Sequence, residues 1–571
     1  MTPDDQEYTM EASNAAVADA LTLLGQLLEI TGQDGFKVRA YYRAAEEIAR
    51  LPRDAGSLTK EELTAIPGIG KALAEKIQAL AATGTHPELE ALKALVPGTL
   101  IQLLDLDGVG PKTVQTLWMK AGITSVDELE RAARGRRIRA IRGFGEKKEQ
   151  EFLRSIAQYR SRATRMNRAE AEAVVARVAA SLTPGTYEVA GSYRRGRSTV
   201  GDVDIVSREP APQVNPRLRG VADEVIDEGD RKTSVRVGPH RVDIRFTPAR
   251  QFGSMLVYLT GSKEFNIRLR EMAITRGLRL NEYGINDRDG GGLREFADEE
   301  SLFAFLGMDW IPPELREDRG EIARALAHDL PHLVTPGAIR GDLHVHSTAS
   351  DGTLSLAELA RAGESRGYRY LLVSDHSASL GVAHGLDPDR VAAQAREIEQ
   401  VNRASPCRLL HGIEVDILAD GTLGHPGSVL DELDLVIASV HSAFRQEKDV
   451  MTRRVISAMA SDHVDIIGHP TGRLLGSREP FDLDLDRVFG AAADTRTALE
   501  INASPWRMDL DDAPIRQARE AGVKLAIGTD AHSAAELDHM GNGVILARRG
   551  WCTPEDLLNT LDEDTLLGWA R

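Results

Sequence analysis

Two sets of side chains in this sequence have the types and spacing for chemistry. The first is a series of histidines and carboxylates: Asp342-Leu343-His344-Val345-His346, Asp351, Asp375-His376, Gly412-Ile413-Glu414-Val415-Asp416, His441, Gly468-His469-Pro470 and Asp530-Ala531-His532. Side chains two apart on a strand share a face, so His344 and His346 point together. Mixed imidazole and carboxylate donors favour Mn²⁺, Zn²⁺ or Fe²⁺, and clustered ions of this kind supply a nucleophile for phosphoester hydrolysis. The second set is Gly191-Ser192-Tyr193-Arg194-Arg195-Gly196 followed by Gly201-Asp202-Val203-Asp204, with Asp243 in Arg241-Val242-Asp243-Ile244-Arg245. Asp202 and Asp204, at strand spacing in a Val/Ile-rich run, are expected to project together and attract Mg²⁺. A third carboxylate permits two-metal phosphoryl transfer, and the amides, hydroxyl and arginines upstream suit a triphosphate.

Elements must position these groups. Nearly every histidine cluster ends an apolar run such as Tyr370-Leu371-Leu372-Val373, and strand and helix patterns alternate from residue 337 onward. That alternation predicts a barrel of parallel strands with its ligands on one rim. From 168 to 248 a helix near 169–180 precedes strand-like runs at Tyr187–Ala190, Val203–Val206 and Val235–Val237. The first 165 residues are helical in pattern and carry one hairpin three times: Ile66-Pro67-Gly68-Ile69-Gly70-Lys71, Leu106-Asp107-Gly108-Val109-Gly110-Pro111-Lys112 and Ile141-Arg142-Gly143-Phe144-Gly145-Glu146-Lys147. Two glycines let backbone approach an anion, and the helix that follows presents unpaired amides to it.

The composition restricts the function classes. At 571 residues the chain exceeds one core, and length suggests about three to five domains. Two cysteines, Cys407 and Cys552, exclude a disulfide framework and fit a reducing cytosol. Met1–Glu11 is acidic and no apolar run is long enough to span a bilayer, so a soluble cytoplasmic protein with no membrane partner is expected. A net charge of −17 opposes nucleic-acid binding, but between Arg131 and Arg168 basic residues far outnumber acidic ones, Arg134, Arg136, Arg137, Arg139 and Arg142 among them. That run is a local electrostatic footprint for phosphates.

The carboxylate stretch resembles the palm of family X DNA polymerases, and the resemblance continues through Tyr258-Leu259-Thr260-Gly261-Ser262, Phe265-Asn266, Arg270 and Asn281-Glu282-Tyr283-Gly284. The histidine series resembles the polymerase and histidinol phosphatase (PHP) domain. Together they identify the sequence as similar to a bacterial-type family X polymerase with a C-terminal PHP domain, over nearly the whole chain. The resemblance implies a multidomain α+β architecture: a helical lyase-like DNA-binding domain (1–90), helical fingers with helix-hairpin-helix motifs (91–165), a nucleotidyltransferase palm with a mixed sheet (166–255), a small α/β thumb (256–318), a linker (319–336) and a distorted (β/α)7 PHP barrel (337–571).

It also implies roles. Asp202, Asp204 and Asp243 would be catalytic, holding two Mg or Mn ions. Ser192, Arg195, Gly201, Tyr258, Gly261, Ser262 and Asn266 would bind the deoxynucleoside triphosphate. Gly68, Gly70, Gly108, Gly110, Gly143, Gly145 and Arg270 would touch DNA, and Lys76 matches a lysine that attacks abasic sugars through a Schiff base. In the barrel His344, His346, Asp351, His376, Glu414, His441, His469, Asp530 and His532 would hold up to three ions of Mn, Zn or Fe. The expected activities are filling of short gaps in DNA repair and 3′-to-5′ exonuclease action, with abasic endonuclease action as a further outcome. Expected partners are gapped or nicked DNA and deoxynucleoside triphosphates, met by a monomer. A nuclease with a weakened palm, a DNA-end scaffold and a small-molecule phosphatase are the competing readings, and the hairpin repeats and basic run favour DNA. Two positions depart from the family pattern: Leu259 stands where Phe is usual, and Ser198 where Glu is usual, which predicts a more basic loop around Arg197.

Overall fold

The computed structural model describes residues 14–33, 35–49, 51, 55–106, 108–141, 143–287, 292–380 and 383–570. The acidic start Met1–Glu11, and Asp107 and Arg142 of the second and third hairpins, lie outside them. The chain divides into two compact units, Met1–Ala163 with Ala378–Gly385, and the remainder from Thr164 to Arg571.

The first unit is helical. Helices Asn14–Ile30 and Gly35–Ala49 precede Lys71–Thr83, Pro111–Ala121, Val126–Arg134 and Glu146–Thr164, with shorter helices between. Leu21, Leu24, Leu27, Ile77, Leu117, Leu129 and Phe152 form its core. All three hairpins close with the same turn, Ile69 N to Ile66 O, Val109 N to Leu106 O and Phe144 N to Ile141 O. Each first glycine has positive φ (Gly68 92°, Gly108 73°, Gly143 103°), a conformation a side chain disfavours. Gly70 and Gly110 then cap their helices.

The second unit begins with a five-stranded sheet in the order Tyr187–Val189, Val203–Ser207, His240–Phe246, Lys232–Val237, Glu224–Glu228. Val203–Ser207 is parallel to His240–Phe246 and the other pairs are antiparallel, so the sheet is mixed. The helix Arg168–Ala179 starts with an Asn167–Glu170 capping box and packs through Ala171, Val174 and Val178 onto the sheet core. Helices Phe252–Thr260 and Lys263–Thr275 lead into a hairpin, Leu278–Asn281 with Gly284–Asp287.

The stretch expected as a linker is packed. Ile322 and Ala325 are buried with Phe265, Phe303 and Trp551 in one cluster, which Ile311 and Leu315 of the preceding stretch also join. Its charge serves structure: Glu321 is buried, accepting amide hydrogens from Asp318 and Arg319 at 2.8 and 2.6 Å.

Seven parallel strands follow, Gly341–Val345, Tyr370–Val373, Arg408–Asp416, Leu435–Ser439, Ile466–Ile467, Ala498–Asn502 and Leu525–Gly528, paired in sequence order. A parallel bridge between Val345 and Ala531 brings the first strand back to the end of the last. The result is a nearly closed, distorted barrel whose strands are buried on both faces, as parallel strands wrapped by helices must be.

Candidate active sites

The barrel strands end at one rim and bring all nine expected ligands together. Three groups of donors are each close enough to hold an ion: His346, Asp351, His376 and His532; His344, His346 and Asp530; and His376, Glu414 and His441. His346 and His376 are shared between groups, which makes the centre continuous. His469 joins through Nε2, 2.9 Å from Glu414 Oε1. Glu414 lies at the middle, also 3.4 Å from His441 Nε2 and 3.6 Å from His344 Nε2.

The electrostatics fit cations. His344 Nε2, both ring nitrogens of His346, His376 Nδ1 and Glu414 Oε2 are buried without a hydrogen-bond partner. Such orphaned atoms are costly unless an ion satisfies them. Burial alone would raise the Glu414 carboxyl, but the charges of His441, His344 and His376 hold it well below its ordinary range. Burial lowers His346 to about 4, with the neighbouring His376 adding to it. Burial would lower His344 and His441 as well, but carboxylates including Glu414 raise His344 well above its ordinary value and His441 to about 10, so these imidazoles would give up their protons when a metal binds.

Side chains to which the sequence analysis gave no role hold these donors from behind. Glu500 Oε1 lies 2.6 Å from His344 Nδ1, and Glu500 Oε2 accepts the His469 amide at 2.5 Å. Asp416 Oδ1 lies 2.8 Å from His441 Nδ1. Their signals were present: Asp416 falls two residues after Glu414 on one strand, and Glu500 is an acid inside the apolar Leu499-Glu500-Ile501 run. Of the histidines left without assignment, His425 Nε2 bonds the Leu386 carbonyl at 2.8 Å, a structural role.

The palm is assembled differently. Asp204 and Asp243 are register partners on parallel strands. Asp202 lies one residue before the Asp204 strand, in a bend with Gly201, and is exposed, yet it is close enough for its charge to act on Asp204. The reason is local: Thr199–Val200 pairs with Met166–Asn167 in a separate small sheet, so the chain must turn between sheets at Gly201-Asp202. Burial pushes Asp204 up to about 7, with Asp202 and Asp243 adding repulsion, a charge concentration that a divalent cation would relieve. Asp243 carries cations already, Lys232 Nζ at 2.6 Å and Arg241 Nε at 2.9 Å. Burial raises its carboxyl, and hydrogen bonds from Arg241, Lys232 and Ser234 outweigh that and lower it.

Gly191 permits this packing, since at its φ of 62° an added Cβ would stand 2.7 Å from Asp204 Oδ2. Gly191–Arg194, with Ser192 half-buried, forms one helical turn. Arg195 then donates to the Thr260 carbonyl at 2.5 Å and Glu317 at 3.1 Å, next to Gly261 and Ser262. Ser262 caps the Lys263–Thr275 helix, Asn266 donates to the Tyr258 carbonyl at 2.7 Å, and Arg270 to the Asn266 carbonyl at 3.0 Å. Leu259 packs against the Ala190, Val206 and Phe252 cluster.

Buried Glu299 joins Arg194 and Arg316, each at 2.7 Å. Burial would raise Glu299, but the two arginines hold it down at about 2. The barrel completes the loop. Arg549, at the end of the helix Met540–Arg549, donates to the Arg195 carbonyl at 2.5 Å, pairs with Glu317 at 3.0 Å and also bonds Asp512. Asp512 lies 3.6 Å from Arg197. The loop expected to be more basic therefore receives a carboxylate from the barrel. Gly196 shows how close that approach is: an added Cβ would stand 2.1 Å from Ile545 Cγ2.

In the first unit Lys76 is paired with Glu88 and bonds the Tyr41 hydroxyl. Burial would raise Glu88, but hydrogen bonds from Lys37, Lys76 and Tyr41 bring it to about 2.

A mixed palm sheet with facing aspartates, tied to a barrel with three metal-ready clusters, defines a metal-dependent nucleotidyltransferase joined to a phosphoesterase. Comparison with known families agrees: the helix-hairpin-helix domain matches residues 12–86, the SAM-like helix-hairpin-helix tandem 100–156, the DNA polymerase beta palm 162–237, the DNA polymerase beta thumb 255–317 and the PHP domain 342–504. The DNA polymerase/3′-5′ exonuclease PolX of Bacillus subtilis is 38% identical over 551 residues, covering 94% of this chain and 96% of that protein. DNA polymerase lambda of Rattus norvegicus is 26% identical, over 53% of this chain and 56% of its own length. A probable phosphatase of a Thermoanaerobacter species is 29% identical over 38% of this chain and 89% of its own. The chain belongs to the family X DNA polymerases that carry a PHP domain, gap-filling enzymes dependent on divalent metal. None of its described helices is long and apolar enough to cross a membrane.

Proposed function

We propose that the palm adds deoxynucleotides to primer ends in short DNA gaps while the barrel hydrolyses the terminal 3′ phosphodiester, in one cytoplasmic monomer. In the palm, Asp202, Asp204 and Asp243 would hold two Mg or Mn ions, which when bound supply charge at the reacting phosphate oxygens. Asp243, which Lys232 and Arg241 keep ionised, would bind the catalytic ion and through it help to activate the primer 3′-hydroxyl. Ser192, Arg195, Gly201, Gly261, Ser262 and Asn266 would receive the triphosphate, with Tyr258 against the sugar and Arg270 on the template. Gly68, Gly70, Gly108, Gly110, Gly143 and Gly145 would present helix amides to DNA phosphates.

In the barrel the nine donors would hold up to three ions of Mn, Zn or Fe, whose chemistry is to activate water and neutralise the phosphoester. Glu414 would hold an ion with His376 and His441, and Glu500 and Asp416 would fix the imidazoles of His344 and His441. One observation carries this reading: inward-facing, unpartnered histidine and glutamate atoms at the strand ends of a barrel joined to a polymerase palm. Lys76, drawn to Glu88, is proposed as an abasic-site lysine, and borohydride trapping unchanged in Lys76→Ala would remove it from that role.

The test is a 5′-phosphorylated one-nucleotide gapped duplex with Mg²⁺ and Mn²⁺ compared. Asp204→Ala should abolish incorporation and spare degradation, and His344→Ala the reverse. Incorporation that survives Asp204→Ala would sink the palm assignment.

A further inference from the structure

The barrel strand Ala498–Asn502 leads into a tight turn, Ser504-Pro505-Trp506-Arg507, whose residues none of the assignments above use. The Ser504 carbonyl accepts the amides of Arg507 and Met508 at 2.9 and 2.8 Å. Neighbouring segments pin both later carbonyls, Leu475 N to Trp506 O at 2.7 Å and Arg473 Nε to Arg507 O at 3.0 Å, and Met508 beyond is fully buried. The turn is therefore a fixed platform.

Its two central side chains differ. Arg507 points into the metal centre, with Nε 3.2 Å from Asp530 Oδ2. Its Nη1 is buried and has no hydrogen-bond partner among the described residues. Trp506, one residue earlier, is 56% exposed. Among the described residues of the barrel, Val450 is the one other large hydrophobic side chain so exposed, and it is aliphatic.

A guanidinium edge held beside metal ligands, with donors to spare, matches the non-bridging oxygens of a phosphodiester. An exposed indole one residue away matches a nucleobase, which stacks on aromatic faces whatever its sequence. Base and phosphate of one nucleotide are bonded neighbours, and Trp506 and Arg507 are adjacent in the turn.

We propose that Arg507 grips the scissile phosphate and Trp506 stacks the base of the 3′-terminal nucleotide. A base inside a duplex has both faces covered, and the indole offers a third surface only to one that has left the stack. The proposal rests on the nuclease reading of the barrel and adds to it the side chains that hold the terminal nucleotide.

The test uses the full chain and single-stranded oligonucleotides with a phosphorothioate terminal linkage, carrying 2-aminopurine at the 3′ or the 5′ end. Wild type and Trp506→Phe should quench the 3′ probe, and Trp506→Ala should not quench it and should bind it about tenfold more weakly. The 5′ probe should respond equally in all three. Uncapped strands give a second readout: Trp506→Ala should raise KM about tenfold for an ordinary 3′ end and leave it unchanged for an end bearing a tetrahydrofuran abasic unit. Arg507→Gln should weaken both. Quenching that persists in Trp506→Ala, or equal losses on ends with and without a base, would overturn the proposal. Normal quenching by a wild type that degrades neither strand would support the binding site while refuting the nuclease reading.

Discussion

The two candidate sites of this chain gather carboxylates for metal in opposite ways. In the barrel, donors from successive strand ends face one another and are held from behind, His344 by Glu500 and His441 by Asp416. In the palm, Asp202 lies exposed in a bend, Asp204 is crowded by like charge, and Asp243 is held by Lys232 and Arg241. The difference teaches what each site waits for. The barrel is organised for metal before substrate arrives, whereas palm carboxylates of this kind take their ions together with substrate phosphates, as Mg²⁺ sites do. What the palm does fix in advance is the loop proposed to receive the triphosphate, through Glu299 on one side and Arg549 of the barrel on the other.

The largest expected effect breaks the barrel half of this contrast. Glu414→Ala removes the group on which the histidines converge, so strand degradation should fall by about 10³-fold or more, with metal content of the purified protein falling alongside. Gap filling should be unchanged. Metal that stays bound at wild-type stoichiometry would show that the histidines alone organise the centre.

Next is the fixed side of the palm. Glu299→Gln leaves Arg194 and Arg316 buried without their carboxylate, a loss of about 3 kcal/mol at neutral pH. The sign follows from Glu299's depressed value of about 2 against its ordinary 4.5. Its stabilisation is complete above about 4.5 and is lost as pH falls towards 2. The melting-temperature gap between wild type and variant should therefore be widest near pH 7 and close on acidification. A gap that widened below pH 4 would contradict the ion-pair origin.

A smaller effect belongs to the side chains behind the metal donors. Glu500→Gln keeps the shape but weakens the hold on His344, and should cost about 10- to 100-fold in barrel metal affinity, measured by competition with a chelating dye.

How much of this was legible in the sequence depended on distance along the chain. The nine barrel donors follow apolar strands, and strand ends of a parallel barrel share a rim, so local pattern placed them. The hairpin glycines were legible for the same reason. The bend at Asp202 was not legible, because the sheet that takes Thr199–Val200 is formed with the distant Met166–Asn167. Arg549 and Asp512 were invisible, since each is an ordinary helical charge whose partners, apart from their own pairing, are distant in sequence: Arg195, Arg197, Glu317 and Arg319. The packing of the 319–336 stretch was not legible, because charge looks the same in a tether and in a buried capping network such as that of Glu321.

Arg549 also tests whether the two sites are independent. Arg549→Met should leave degradation at its wild-type rate, since the residue touches no metal donor. By freeing the Arg195 carbonyl and Glu317 it should raise KM for the deoxynucleotide about tenfold, with a smaller change in kcat. A KM equal to wild type would mean that the Thr260 carbonyl and Glu317 suffice to hold Arg195.

The smallest effect bears most directly on the contrast itself. If the palm is unready because Lys232 and Arg241 occupy Asp243, then removing one cation should make it more like the barrel. Lys232 is the better choice, because its ammonium is 2.6 Å from Asp243 Oδ2 and its side chain is mostly covered. An ion pair of this partial exposure contributes on the order of 1 kcal/mol, so Lys232→Ala should lower the Mg²⁺ concentration for half-maximal gap filling by about threefold. Barrel degradation serves as the internal control, and its Mn²⁺ dependence should not move. A higher Mg²⁺ requirement would instead mean that Lys232 helps to shape the metal position, and that the palm is more ordered in advance than its free carboxylates suggest.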